Sequence, residues 1–310
     1  MRARRGALAG LLLGLPGVVA AAQPLAAAAW QRMRKALVVL DYSGTLVLRQ
    51  GADLQTLAIE HRAGSPDRDL LTSLDGRTLQ IERSGTRVQW TLAGAPPLRL
   101  DPGRLHTLLP LVPDVPLAAL HSSYTLTQQD GGRVAARATT QLLIQPHDGY
   151  RYGYRLWLDR ASGLPLRVQL TLDGRPLPEE FRFVALRVGA QADLAALGGA
   201  TPTAAATTAP GRSAQPAPWR VVNAPPGFHV RVCVSDGTPG SEHLVLSDGI
   251  ASVSVYVQRR PVPLPQGTGV RGALSFVSEA RDGERITVLG DVPVPTVQRI
   301  ANSVALTAGH

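Results

Sequence analysis

YRYGYRLWLDRASGLPLRVQLTLDGRPLPEEFRFVALRV, residues 150–188, decides the fold. Tyr150, Tyr152, Tyr154, Leu156 and Leu158 share one parity, and Arg151, Arg155 and Trp157 the other. A period of two is the spacing of a strand, whose successive side chains leave opposite faces. After the Ala161-Ser162-Gly163 break the alternation returns with Leu166, Val168, Leu170 and Leu172, and Asp173-Gly174 signals a tight hairpin into EEFRFVALRV. Three antiparallel strands are expected, greasy on one face and arginine-bearing on the other.

The same grammar extends upstream. Leu46, Val47 and Leu48 form a short apolar run after Gly44, LQTLAIEHR follows, and Asp75-Gly76 and Ser84-Gly85 separate DLLTSL, TLQIER and TRVQWTL. SSYTLTQ and RATTQLLIQ flank Gly131-Gly132. These turn-linked runs predict a large antiparallel sheet. Trp30, Met33 and Leu37 recur at helical spacing and predict one amphipathic helix before it. Residues 95–118 are proline-rich and read as an irregular excursion, with a short helix near Gly103–Leu109.

Composition changes at GAQADLAALGGATPTAAATTAPGRSAQPAP, residues 189–218, which carries small residues, Pro and Gly and little apolar periodicity. Such a stretch reads as a flexible linker. It separates a first domain, 23–188, from a second, 219–306. The second is written in hairpins: EHLVLSDGIASVSVYVQ turns at Ser247-Asp248-Gly249, and GALSFVSEARDGERITVLG at Asp282-Gly283. Val297, Ile300, Ala301 and Val304 then lie on one helical stripe behind Pro295, which suits a first turn. In FHVRVCV, Phe228, Val230, Val232 and Val234 are expected on one strand face, and Cys233 on the other. The fold class is α+β, mainly antiparallel β, in two domains.

The N-terminus resembles an export signal. Arg2, Arg4 and Arg5 precede an apolar run ending in Ala20-Ala21-Ala22, so residues 1–22 are expected to be a signal peptide, with cleavage after Ala22. Pro16 and Gly17 interrupt the run before it reaches the ~20 residues of a bilayer span. Cys233 is the single cysteine, which excludes an internal disulfide, CxxC chemistry and a cysteine-clustered zinc site. The formal net charge is +9, and Lys35 is the only lysine, so positive charge is carried by guanidinium groups suited to carboxylate and phosphate. The charge is scattered, and nucleic acid is not an expected partner.

Enzyme signatures are missing from the sequence. It contains no G-x-x-x-x-G-K-[ST], G-x-S-x-G or H-E-x-x-H, and His61, His106, His121, His147, His229 and His243 stand singly. Neighbours in a strand point apart, so Glu60-His61 and Glu242-His243 are read as surface features, and Glu179-Glu180 as solvated. Neither catalysis nor a cofactor is expected.

YRYGYRLWLDRASGLPLR at 150–167, EHLVLSDGIASVSVYV at 242–257, RDGERITVLGDVP at 281–293, the entry WRVVNAPPGF at 219–228, and DYSGTLVLRQG and IEHR near the start together resemble the RseB/MucB family of periplasmic regulators of the sigma-E response. The resemblance implies a first domain like lipoprotein carriers, a curved antiparallel sheet with helices around a hydrophobic cavity, and a smaller second domain. It also implies a partner, the periplasmic domain of an RseA/MucA-like anti-sigma factor shielded from site-1 proteolysis, and a lipid or lipopolysaccharide ligand that releases it. On that footing Leu156, Leu158, Leu166, Val168 and Leu170 are the ligand-cavity candidates, although an ordinary core would read the same way. Arg231, Arg259, Arg260 and Arg271 are the partner-binding candidates. A periplasmic lipid or lipoprotein carrier is the alternative.

Overall fold

The computed structural model of the chain describes residues 17–76, 78–85, 87–92, 98–100, 117–189, 219–234, 241–258 and 266–306. The expected helix at Gly103–Leu109, nearly all of the 189–218 segment, Arg259 and Arg260 lie outside the described residues.

The first domain opens with helix α1 (Gly17–Val39), whose Ala26, Trp30, Met33 and Leu37 are buried at the spacing of one amphipathic face. Strands β1 (Tyr42–Gln50), β2 (Asp53–Arg62), β3 (Arg68–Ser73), β4 (Leu79–Ser84), β5 (Arg87–Leu92) and β6 (Leu98–Leu100) form a meander. After the short helix α2 (Leu117–His121) come β7 (Tyr124–Val134), β8 (Arg137–Pro146), β9 (Gly153–Asp159), β10 (Pro165–Leu172) and β11 (Arg175–Val188). All eleven join in one antiparallel sheet, β6-β5-β4-β3-β2-β1-β11-β10-β9-β8-β7. Pairing β1 with β11 closes the two meanders into that sheet, which curves until β7 approaches β11, and α1 packs on β7 and β8. Both Asp173 and Gly174 have positive φ, 51° and 75°, as the sequence signal for a primed two-residue turn requires.

The inner face carries the first core. Tyr154, Leu156 and Leu158 of β9, Leu166 and Val168 of β10, and Phe181 and Phe183 of β11 share one cluster with Trp30 and Met33 of the helix. On the outer face Trp157 is also buried, beneath the Arg167 guanidinium at 4.2 Å from its ring centroid, and Arg167 pairs with Glu180 at 2.6 Å.

The second domain has its own core. Strands β12 (Trp219–Val221), β13 (His229–Val234), β14 (Ser241–Ser247), β15 (Ser252–Gln258), β16 (Gly267–Arg271), β17 (Leu274–Arg281) and β18 (Glu284–Gly290) precede helix α3 (Val294–Asn302) and strand β19 (Val304–Leu306). The main sheet runs β13-β14-β15-β18-β17-β16, with β12 and β19 as a separate pair. Val297, Ile300 and Ala301 of α3 bury against Val253, Val255, Ile286 and Val288, as the helical stripe anticipated. Val304 is buried too, although it belongs to β19.

Five readings need correction. Glu60 and His61 are buried, because this part of β2 is covered on both faces: His61 Nδ1 lies 2.6 Å from Asp69 Oδ1, and its ring stacks on Tyr42. His243 is buried under a stacked Tyr256, at 4.1 Å between ring centroids. Glu179 and Glu180 lie within β11, the first buried and the second held by Arg167. Phe228 is buried and Val230 is 54% exposed: Phe228 precedes β13, its amide donating to the Pro225 carbonyl at 3.1 Å in a turn, so strand alternation does not include it, and the register shifts again between Val230 and Val232. Tyr150 and Arg151 precede β9. Asp148 Oδ1 accepts from the Tyr150 amide and from Arg151 Nε, both at 3.0 Å, and this local turn delays the strand to Gly153.

Candidate functional site at the domain contact

Delaying β9 turns Tyr150 and Arg151 away from the sheet and into the second domain. Arg151 is wholly buried, and its guanidinium donates from Nη1 to Asp248 Oδ2 at 2.8 Å and from Nη2 to the Pro226 carbonyl. It also lies over the rings of Tyr124, at 5.5 Å, and Phe228, at 5.1 Å. The Tyr124 hydroxyl donates to the same Asp248 Oδ2 at 2.8 Å. Burial, and then the Asp248 carboxylate, raise the Tyr124 hydroxyl well above its ordinary pKa, so it stays a donor.

Asp248 is held by its own turn. Its Oδ1 accepts from the amides of Ile250 and Ala251, at 2.9 and 2.8 Å, which leaves Oδ2 aimed at the first domain. The hairpin signal Ser247-Asp248-Gly249 therefore also supplies the acceptor of the domain contact. Gly227 carries φ +82°, and a Cβ there would stand 2.6 Å from Ser123 Oγ, so glycine is needed for the close approach.

A second set of bonds flanks the ion pair. Thr296 Oγ1 donates to the Tyr150 carbonyl, and Arg299 Nη1 donates to the Tyr150 hydroxyl at 2.9 Å, with the guanidinium 5.1 Å from the Tyr150 ring centroid. Nearby, burial pushes the Asp291 carboxyl up to about 6 and raises Tyr152, which lies beside Ser275. Burial likewise raises Glu179, whose carboxylate would be 3.4 Å from a Cβ on Gly272. The contact combines these polar groups with the rings of Tyr124, Tyr150, Tyr152 and Phe228; the two apolar cores are separate, and among the described residues Ile250 of the second domain packs against the first core.

The predicted cavity residues divide. Leu156, Leu166 and Val168 are buried in the first core, with Leu170 packed partly buried against it. Leu158 alone of the five borders a cavity of about 230 Å³, whose walls include Leu25, Ala28, Ala29 and Arg32 of α1 and Gln128, Thr140 and Asp159. Arg32 Nη2 closes one end by donating to the carbonyls of Asp159, at 3.1 Å, and Arg160, at 2.6 Å. Of the partner-binding candidates, Arg231 and Arg271 are exposed but sit on β13 and β16, opposite edges of the sheet, so they do not form one patch. Among the described residues no group of three His, Cys, Asp or Glu side chains is placed to hold a metal ion, and no helix is long and apolar enough to cross a membrane.

A curved antiparallel sheet covered by a helix, joined to a smaller sheet and helix, defines a two-domain α+β protein, and comparison with known proteins gives the family. The MucB/RseB N-terminal domain matches residues 25–202 and the MucB/RseB C-terminal domain residues 213–305. The chain belongs to the MucB/RseB family. It is 29% identical over 306 residues to the sigma factor AlgU regulatory protein MucB of Pseudomonas aeruginosa, covering 95% of both chains. It is 26% identical over 301 residues to the sigma-E factor regulatory protein RseB of Escherichia coli K12, covering 94% of both. Among solved structures it resembles the Pseudomonas aeruginosa MucA/MucB complex, with a TM-score of 0.71 and 29% identity over 92% of this chain and 99% of that one. The crystal structure of MucB in complex with MucA(peri) matches with a TM-score of 0.70 and 29% identity, over 91% and 100%.

Proposed function

We propose that this chain is a non-catalytic periplasmic regulator that binds the periplasmic domain of a membrane-spanning anti-sigma factor and thereby restrains a sigma-E-type factor. The observation that carries the reading is the match of both domains together to a MucB chain solved with MucA(peri). Export fits the N-terminus: cleavage after Ala22 would leave Pro24 in the first turn of α1, where its missing N–H costs nothing. Bound this way, the chain shields the anti-sigma factor from site-1 proteolysis, and lipid or lipopolysaccharide relieves the shielding.

The cavity beside Leu158 favours a second reading, a lipid or lipoprotein carrier. At about 230 Å³ it is smaller than the ~300–1,000 Å³ of ordinary ligand pockets. Incubating the anti-sigma periplasmic domain with its first protease, with and without the full chain, tests the proposal. Protection at stoichiometric amounts that lipopolysaccharide abolishes is expected. Cleavage at the same rate with the chain present would refute shielding, and protection indifferent to lipid would refute release.

A further inference from the structure

We propose that Arg151 and Asp248, flanked by Tyr150 with Thr296 and Arg299, are a separable latch that holds the two domains in one orientation and whose rupture lets them swing apart. Three features distinguish a latch from a permanent weld. The two apolar cores do not merge, so opening uncovers Ile250 and the rings of Tyr124, Tyr152 and Phe228 and no continuous apolar face. A contact built of polar groups can exchange each bond for water, and polar interfaces between domains are those at which relative motion is expected. The central pair is also all-or-none. Both side chains are fully buried, Asp248 Oδ2 accepts from Arg151 and Tyr124 together, and either charge left alone inside is strongly unfavourable. Such a contact is either whole or open, with no stable half-formed state.

The parts are assigned by the chain itself. Asp148 orients Arg151 within the first domain, and the amides of Ile250 and Ala251 orient Asp248 within the second. Each half therefore keeps its shape when the other leaves. The proposal concerns the relation of the domains and does not depend on what the protein binds.

The test uses the full chain in a Cys233→Ser background, with spin labels at Leu54→Cys and Val270→Cys, both exposed and one in each domain. A single narrow distance distribution is expected. Asp248→Asn keeps the acceptor for the Ile250 and Ala251 amides but removes the charge. It should shift the closed-to-open ratio at least tenfold and add a longer, broader population, while circular dichroism shows both domains folded. Arg151→Met should do the same. The double variant Thr296→Val with Arg299→Met removes the flanking bonds without touching the ion pair, and should broaden the distribution to a smaller extent. A narrow distribution unchanged in all folded variants would overturn the latch. Should the charge variants not fold, the flanking variant decides alone: broadening supports the proposal and no change refutes it.

Discussion

Replacing Leu166 with alanine removes a side chain with no solvent exposure from the middle of the first core, among Trp30 of the helix and the aromatic residues of β11. Leu158, 3% exposed, is the internal comparison, because part of its surface already faces the cavity of about 230 Å³. Leucine-to-alanine changes in tightly packed cores cost about 3–5 kcal/mol, and those beside existing space fall near the lower end, about 2 kcal/mol, since fewer contacts are lost. For a domain of this size each kcal/mol lowers the melting temperature by ~2–4 °C. Leu166→Ala should therefore lower the first-domain transition by roughly 6–20 °C, and Leu158→Ala by about half as much. Urea unfolding followed by tryptophan fluorescence reads the same difference as a shift in midpoint at constant slope. If Leu158→Ala costs as much as Leu166→Ala, or Leu166→Ala costs under about 1 kcal/mol, the picture of Leu166 in close packing and Leu158 beside a cavity is wrong.

Four further outcomes are expected. Because burial raises the Asp291 carboxyl to about 6, the folded state binds a proton that the unfolded state has lost between about pH 4 and 6. Its contribution to stability is thus full below about pH 4 and declines as pH rises through 6, by of order 1–3 kcal/mol, and Asp291→Asn should flatten that segment of the curve from chemical unfolding. Gly227→Ala forces a side chain onto a left-handed backbone and into Ser123, and should cost about 1–3 kcal/mol by the same measurement; a neutral change would mean the loop relaxes freely. Limited proteolysis should cut first within 189–218 and leave two folded fragments, and mass spectrometry of the exported protein should find Gln23 at its N-terminus; a first cut inside 150–187, or Met1 retained, would contradict these two readings respectively.

The sheet was legible because alternation and Asp-Gly turns are local signals. Asp282 and Gly283, like Asp173 and Gly174, take positive φ, and each turn sets the register of its two neighbouring strands. The α3 stripe was legible for the same reason, since Val297, Ile300 and Ala301 are near neighbours in sequence and in space. The domain contact was not legible, because Arg151 and Asp248 are 97 positions apart and periodicity continues through Arg151 without a break. One local sign was present: Asp148 two residues before Tyr150 is placed to make the turn that holds Arg151 out of the strand. Burial of Glu60 and His61 escaped for a different reason. Alternation tells which residues share a face but not whether the second face is covered, and here the Tyr42, His61, Asp69 and Arg83 ladder crosses four adjacent strands. Arg231 and Arg271 look alike in sequence, and only strand order reveals that a whole sheet separates them.

Both domains together are expected to engage an anti-sigma factor. Isothermal titration of the purified full chain with the periplasmic domain of an RseA/MucA-like anti-sigma factor tests it most directly. Saturable binding is expected, weakened at least tenfold when residues 219–310 are deleted, a loss of about 1.4 kcal/mol or more. Absence of heat and of complex at micromolar concentrations, with the chain folded, would contradict it.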